Sequence, residues 1–163
     1  MNFDASYLRY WGKSRKTITT GDNYHLLVYH CLDVAACGYV MAIENRFGMG
    51  AVLAELGLSS SEDYRWINFF FACHDLGKFA NGFQRLAVHP QSPLVKPAAG
   101  INTPARHDTL GFWLWDKLEI DWLEGQRDIF PAVPPDQRDD FVYALDIWMA
   151  ISTGHHGIPP DKP

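Results

Sequence analysis

The apolar residues of this chain recur at helical spacing almost from end to end, and that period limits the fold more than any other feature. From His25 to about Phe47, Leu26, Leu27, Leu32, Val34, Ala35 and Val40 make a broad apolar stripe. Such a stripe predicts a well-buried helix, with Thr20, Gly21, Asp22 and Asn23 at its start. A short helix is expected from Ala51 to Leu56, closed by Gly57. Ser59, Ser60 and Ser61 predict the cap of a stronger helix running through Trp66, Phe69, Phe70 and Phe71 to about Phe79. Arg106 to Leu118 reads as another, with Leu110, Trp113 and Leu114 at core spacing. A last one, capped by Asp136, passes through Phe141, Leu145, Trp148 and Ile151 to Gly154. The segment from Gln91 to Pro104 and the one around Pro131, Pro134 and Pro135 read as loops. No stretch alternates as a strand would, and nothing repeats. The expected fold class is all-α, in a single domain over 1–163.

Composition bounds the function. With 47% hydrophobic and 20% charged residues, the 163-residue chain has enough apolar matter for a real core and is not a disordered chain. Fourteen Lys and Arg against nineteen Asp and Glu leave a net charge of −5. Bulk charge therefore does not make it a nucleic-acid binder, and any such contact needs a local patch or a bound metal. The basic lead-in from Arg9 to Lys16 is one candidate patch. Unbroken apolar stretches such as Phe69 to Cys73 are far shorter than the roughly 18 residues of a membrane span. Neither a membrane segment nor a secretory leader is expected. Cys31, Cys37 and Cys73 are odd in number, lie in apolar helical segments and match no zinc spacing, which fits buried free thiols in a reducing cytoplasm.

The chemistry lies in the seven histidines. His74 and Asp75 are adjacent near the expected end of the Phe-rich helix, and Lys78 follows three and four residues later on the same side. An imidazole beside a carboxylate offers a divalent metal one neutral nitrogen and one anionic oxygen able to bridge two ions. The plainer reading is a locally satisfied His–Asp pair with a lysine favoured at a helix C-terminus. Gly154-His155-His156-Gly157 brackets two imidazoles with flexible backbone, so both could turn to one centre. Taken alone, His107 in Arg106-His107-Asp108 reads as a surface histidine and His30 as a core residue, while His25 and His89 read as structural.

Order and type change that balance. Tyr10-Trp11-Gly12-Lys13-Ser14, the run from Tyr24 through His30 to Ala35, His74-Asp75-Leu76-Gly77-Lys78-Phe79 with Phe83-Gln84, Arg106-His107 and Gly154-His155-His156-Gly157 follow one another along the chain. Together they resemble the N-terminal HD nuclease domain of the helicase-nuclease of type I CRISPR systems. The resemblance implies an HD-type helical bundle that cuts single-stranded DNA with divalent transition metals after recruitment to the Cascade complex. It implies one ion on His30, His74 and Asp75, with Asp75 bridging to a second on His107, His155 and His156, and Lys78 beside the scissile phosphate. His-rich ligands favour Mn, Fe, Co, Ni or Zn over magnesium, with one or two ions per chain.

The family carries a further Asp beyond the double histidine, which completes the first site. Here only Asp161 follows, in a setting that does not suit the role, and no Walker-type loop for ATP is present. Two expectations follow, a fragment or a naturally short protein. The alternative to a working nuclease is a weakly active or inactive homologue that occupies the Cascade docking surface and blocks the full-length enzyme, as an anti-CRISPR competitor. A nucleotide phosphohydrolase of the wider HD superfamily explains His74-Asp75 but not the other matches.

Overall fold

The computed structural model describes residues 5–15, 23–87, 92–97, 106–125, 133–157 and 160, apart from the side chains of 119–125 and 135. Helices dominate as the apolar period predicts: α1 (Leu27–Ile43), α2 (Met49–Glu55), α3 (Ser61–Cys73), α4 (Asn81–Gln84), α5 (His107–Gly125) and α6 (Arg138–Thr153). Of the three serines expected to cap α3, Ser60 does so. Its hydroxyl accepts the Asp63 N–H at 3.1 Å, and its own N–H donates to Asp63 Oδ2 at 2.8 Å. The Ser60 hydroxyl, with the N–H groups of Ser60 and Ser59, holds the Asp63 carboxyl below its usual range.

The core forms where α3, α5 and α6 meet, from Phe70, Phe112, Trp115, Leu145 and Met149. Trp148 stacks on Phe70, and the Trp115 indole N–H donates to Asp146 Oδ1 at 2.9 Å. A second cluster, Ala42, Leu53 and Ile67, ties α1 and α2 to α3. Between α1 and α2 the chain bends by 94°, through Asn45 and Phe47 at positive φ. Gly38 brings α1 onto α3, because a Cβ there would collide with the Phe71 ring. Burial pushes the thiols of Cys31 and Cys73 up to about 11 and about 12, but Cys37, expected to be buried with them, is exposed.

Five expectations are corrected. Strands do occur: Trp11–Ser14 (β1) and Tyr24–Leu26 (β2) pair antiparallel, with Gly12 left out of the register as a bulge. Helix α1 consequently starts at Leu27, because β2 takes up the expected first turn. Its buried face is Leu27, His30, Cys31, Gly38 and Ala42, so Leu32 and Val40 stand exposed at 55% and 44%. Helix α3 stops at Cys73 rather than near Phe79, and the chain tightens into a 3-10 turn over Leu76–Phe79. Asp136 does not cap α6. It lies in the 3-10 turn Pro135–Gln137, and Gln137 is the cap residue, with no side-chain bond. Among the described residues no single helix is long and apolar enough to cross a membrane.

Urea denaturation checks this arrangement. Met149 is fully buried in the main cluster, and Met149→Ala is expected to cost about 2–5 kcal/mol. Ser60→Ala removes the cap and is expected to cost about 1 kcal/mol. The depressed Asp63 carboxyl contributes stability that is present above its unfolded-state pKa and lost as pH falls through its folded value. The wild-type advantage over Ser60→Ala should therefore shrink on acidification below the ordinary carboxylate range.

Candidate metal centre

The turn after α3 builds the site. His74 caps the helix, Asp75 follows with φ −107° and ψ 21°, and the Lys78 N–H donates to the Asp75 carbonyl at 2.9 Å. Asp75 is 1% exposed. Lys78 is thereby curled back onto the carboxylate, its Nζ 2.7 Å from Oδ2. The expected helical spacing of Asp75 and Lys78 is thus replaced by a tighter turn that puts them in direct contact.

Glycine decides what lies over this turn. A Cβ on Gly77 would collide with the His107 carbonyl oxygen and the Gly111 nitrogen, and one on Gly111 would lie 2.9 Å from the Gly77 nitrogen. Backbone therefore meets backbone, and the first turn of α5 settles onto the 3-10 turn with His107 above Asp75. That first turn is held by Asp108, which pairs with Arg106 at 2.6 Å and accepts the Thr109 N–H at 2.8 Å.

Gln84 fixes the other side. Its buried side-chain amide donates to the carbonyls of Lys78 and Trp11 at 2.7 and 2.9 Å and accepts the Trp11 N–H at 3.2 Å. The carbonyl of Gly12, the next residue of β1, accepts from Lys78 Nζ at 3.3 Å. Helix α1 contributes His30 from its buried face, and the chain just past α6 contributes His155 and His156. Gly157 takes a left-handed φ of 79°, while Gly154 does not, so one glycine rather than two provides the turn.

All seven residues singled out from the sequence converge here. Around Asp75 Oδ2 stand His30 Nε2 at 3.0 Å, His74 Nε2 at 3.1 Å and Lys78. Towards Oδ1 point His107 Nε2 at 3.4 Å and His155 Nε2 at 3.7 Å. His156 Nε2 lies 3.0 Å from His107 Nε2. Two groups therefore have ligand atoms close enough to share an ion: His30, His74 and Asp75, and His107, His155 and His156. Of the remaining histidines, His25 lies in β2 and reaches Asp33 at 3.5 Å. His89 and Asp161 lie outside the described residues.

These donors suit a cation. The Phe71 carbonyl can only accept, so His74 Nδ1, 2.8 Å away, carries the proton. That leaves Nε2 facing the Asp75 carboxylate, 3.1 Å from Oδ2. His155 repeats the arrangement, with Nδ1 3.0 Å from the Thr153 carbonyl. Such backbone anchoring fixes the tautomer of metal-ligating imidazoles. Burial pushes His30 and His155 down, towards the neutral form that can ligate. Burial pushes the Asp75 carboxyl up, but the nitrogens of His107, His74 and Lys78 outweigh it and hold it well below the usual carboxylate range. Asp75 Oδ1 is buried without a hydrogen bond. An anionic oxygen left over in this way is one an ion would satisfy.

Gly77, Gly111, Gln84 and Trp11 support the site without having been assigned a role from the sequence. The only signal was their place within or beside the motifs, as with Gly77 between His74-Asp75 and Lys78.

The comparisons with known proteins agree with this geometry. The family model described as "Cas3, HD domain" matches residues 11–163. The CRISPR-associated endonuclease/helicase Cas3 of Escherichia coli strain K12 is 33% identical over 162 residues, covering 91% of this chain and 17% of that protein. No solved structure matches. A buried aspartate ringed by four histidines and a lysine, with a fifth histidine beside them, on a helical frame matched by the family model over nearly its whole length, places this chain in the Cas3 HD domain family.

Proposed function

We propose that the chain is a metal-dependent phosphodiesterase that cuts single-stranded DNA in type I CRISPR interference, on DNA presented by a Cascade complex. The observation that carries this reading is the Asp75 carboxylate, buried and flanked on both oxygens by imidazole nitrogens. His30, His74 and Asp75 Oδ2 would hold one ion; His107, His155 and His156, with Asp75 Oδ1, would hold a second. The donor set suits Mn, Fe, Co, Ni or Zn. Bound there, such ions neutralise a phosphodiester and make a water molecule acidic enough to attack it near neutral pH.

The protein's own groups do the rest. The backbone carbonyls of Phe71 and Thr153 accept from the Nδ1 atoms of His74 and His155 and so turn both Nε2 atoms towards Asp75. Lys78 is pinned at its backbone by Gln84, but its ammonium sits at the end of a flexible chain beside the Phe83 ring. It can leave Asp75 for a phosphate oxygen by turning side-chain torsions alone. The same ammonium compensates Asp75 while no substrate is present. His155 and His156 are both exposed, so this pair lies on the open side of the centre.

Circular single-stranded DNA incubated with the purified protein and Mn²⁺, Ni²⁺ or Co²⁺ is expected to be nicked and degraded. Asp75→Ala should abolish cleavage, and Lys78→Ala should lower kcat about a hundredfold by removing a cation from the reacting phosphate. Uncut DNA with metal bound would refute the nuclease and leave binding to Cascade as the surviving reading, to be read by pull-down.

Metal stoichiometry makes a separate prediction. The second group offers three imidazoles and the unpaired Oδ1, whereas the first offers two imidazoles and an oxygen already shared with Lys78. A neighbouring ammonium opposes a dication, so the second position should fill first and the purified chain should carry nearer one ion than two. In elemental analysis His155→Ala should lose most of the bound metal and His30→Ala less. Equal losses would contradict the assignment.

A further inference from the structure

His30, which meets Asp75 at the metal centre, also lines an open cleft of about 430 Å³. That volume falls in the range that holds a small organic ligand. Its floor is apolar, made by Val34 and Met41 of α1 and the Phe71 ring of α3. Gly38 shapes it, since the absence of a side chain there lets α1 lie against that ring. Its rim is polar. Lys13 reaches it from β1, and His25 from β2 stands edge-on to His30, with ring centroids 6.3 Å apart. Asp33 is the one acid on this rim, and its carboxylate is engaged by His25. Lys13 has no ion pair or side-chain hydrogen bond among the described residues, which leaves a free ammonium over an apolar floor.

An apolar surface with one cation at its edge matches a nucleotide, whose base seeks an apolar contact while its phosphate seeks a positive charge. Position favours a nucleotide within a strand over a free one. Strand β1 carries both anchors in succession: the Gly12 carbonyl holds Lys78 at the metal centre, and the next residue, Lys13, serves the cleft. One imidazole, His30, belongs to both the centre and the cleft. We propose that this cleft is a subsite for the nucleotide adjoining the scissile phosphate, its base on Val34, Met41 and Phe71 and its phosphate on Lys13. The inference rests on the nuclease reading and adds a hold on the strand beside the reacting bond.

Cys37 is an exposed thiol at the edge of the cleft and reports occupancy directly, whereas Cys31 is buried and serves as the internal control. The probe is a short single-stranded phosphorothioate oligonucleotide with Mn²⁺, its binding followed by fluorescence anisotropy and its footprint by peptide-resolved alkylation. At about ten times Kd, alkylation of Cys37 should slow about tenfold, the factor 1 + [L]/Kd. Lys13→Gln should weaken binding and reduce the slope of log Kd against log salt by about 0.7, the share of one phosphate on a single strand. Binding that leaves Cys37 unprotected and the slope unchanged would overturn the subsite while leaving the nuclease reading intact. Equal protection by a nucleoside monophosphate at the same concentration would make the cleft a free-nucleotide site and overturn the strand assignment. No binding of the oligonucleotide at all would overturn both.

Discussion

Burying the Asp75 carboxylate is the constraint around which the rest of the molecule is arranged. An ionised group taken out of water costs several kcal/mol unless neighbours replace the lost solvation. Here the replacement comes from four directions: α1 through His30, the turn after α3 through His74 and Lys78, the start of α5 through His107, and the end of α6 through His155. No one element could surround the group. The early end of α3, the glycine contact between the 3-10 turn and α5, and the Gln84 clamp on β1 all bring these separate pieces to one point. The hydrophobic cluster of α3, α5 and α6 then holds those helices together from the other side.

The helices were legible because burial imposes a period on the residues that face the core, and Phe70, Leu145 and Trp148 all fall on it. The small hairpin was not, because three or four residues with a bulge are too few to show alternation. Its stability comes from Gln84 and Lys78, which lie far along the chain. The site divides in the same way. His74, Asp75, His155 and His156 sit in short motifs whose chemistry can be seen locally. His30 and His107, taken alone, read as core and surface residues, and only the ordered set of motifs drew them in. Gly77 and Gly111 were invisible as a pair, since two glycines 34 positions apart declare a contact only when the backbones meet. Leu32 and Val40 misled for a related reason: apolar spacing marks a helix but does not say how wide its buried face is.

Charge is handled locally. The chain carries a net −5, yet its proposed substrate is a polyanion. Long-range attraction between the two is absent, and salt screens what remains beyond about 10 Å. Recognition of such a substrate would therefore depend on a few cations at short range, Lys78 at the centre and Lys13 beside it, together with whatever ions the imidazoles hold. On the proposed reading, such a domain would act on a strand brought to it and would have little pull on DNA at a distance.

The backbone anchoring of His74 and His155 has a consequence for the protein's upkeep. Their Nε2 atoms are held facing a buried carboxylate, and an arriving ion would bind nitrogen and oxygen together. Because the unfolded chain scatters these ligands, any ion that binds only the assembled site draws the folding equilibrium towards the native state. The supply of free transition metal would then govern how much of the chain is folded and protected from proteolysis, as well as how fast it works. Scarcity of one nutrient would lower the abundance of the protein itself.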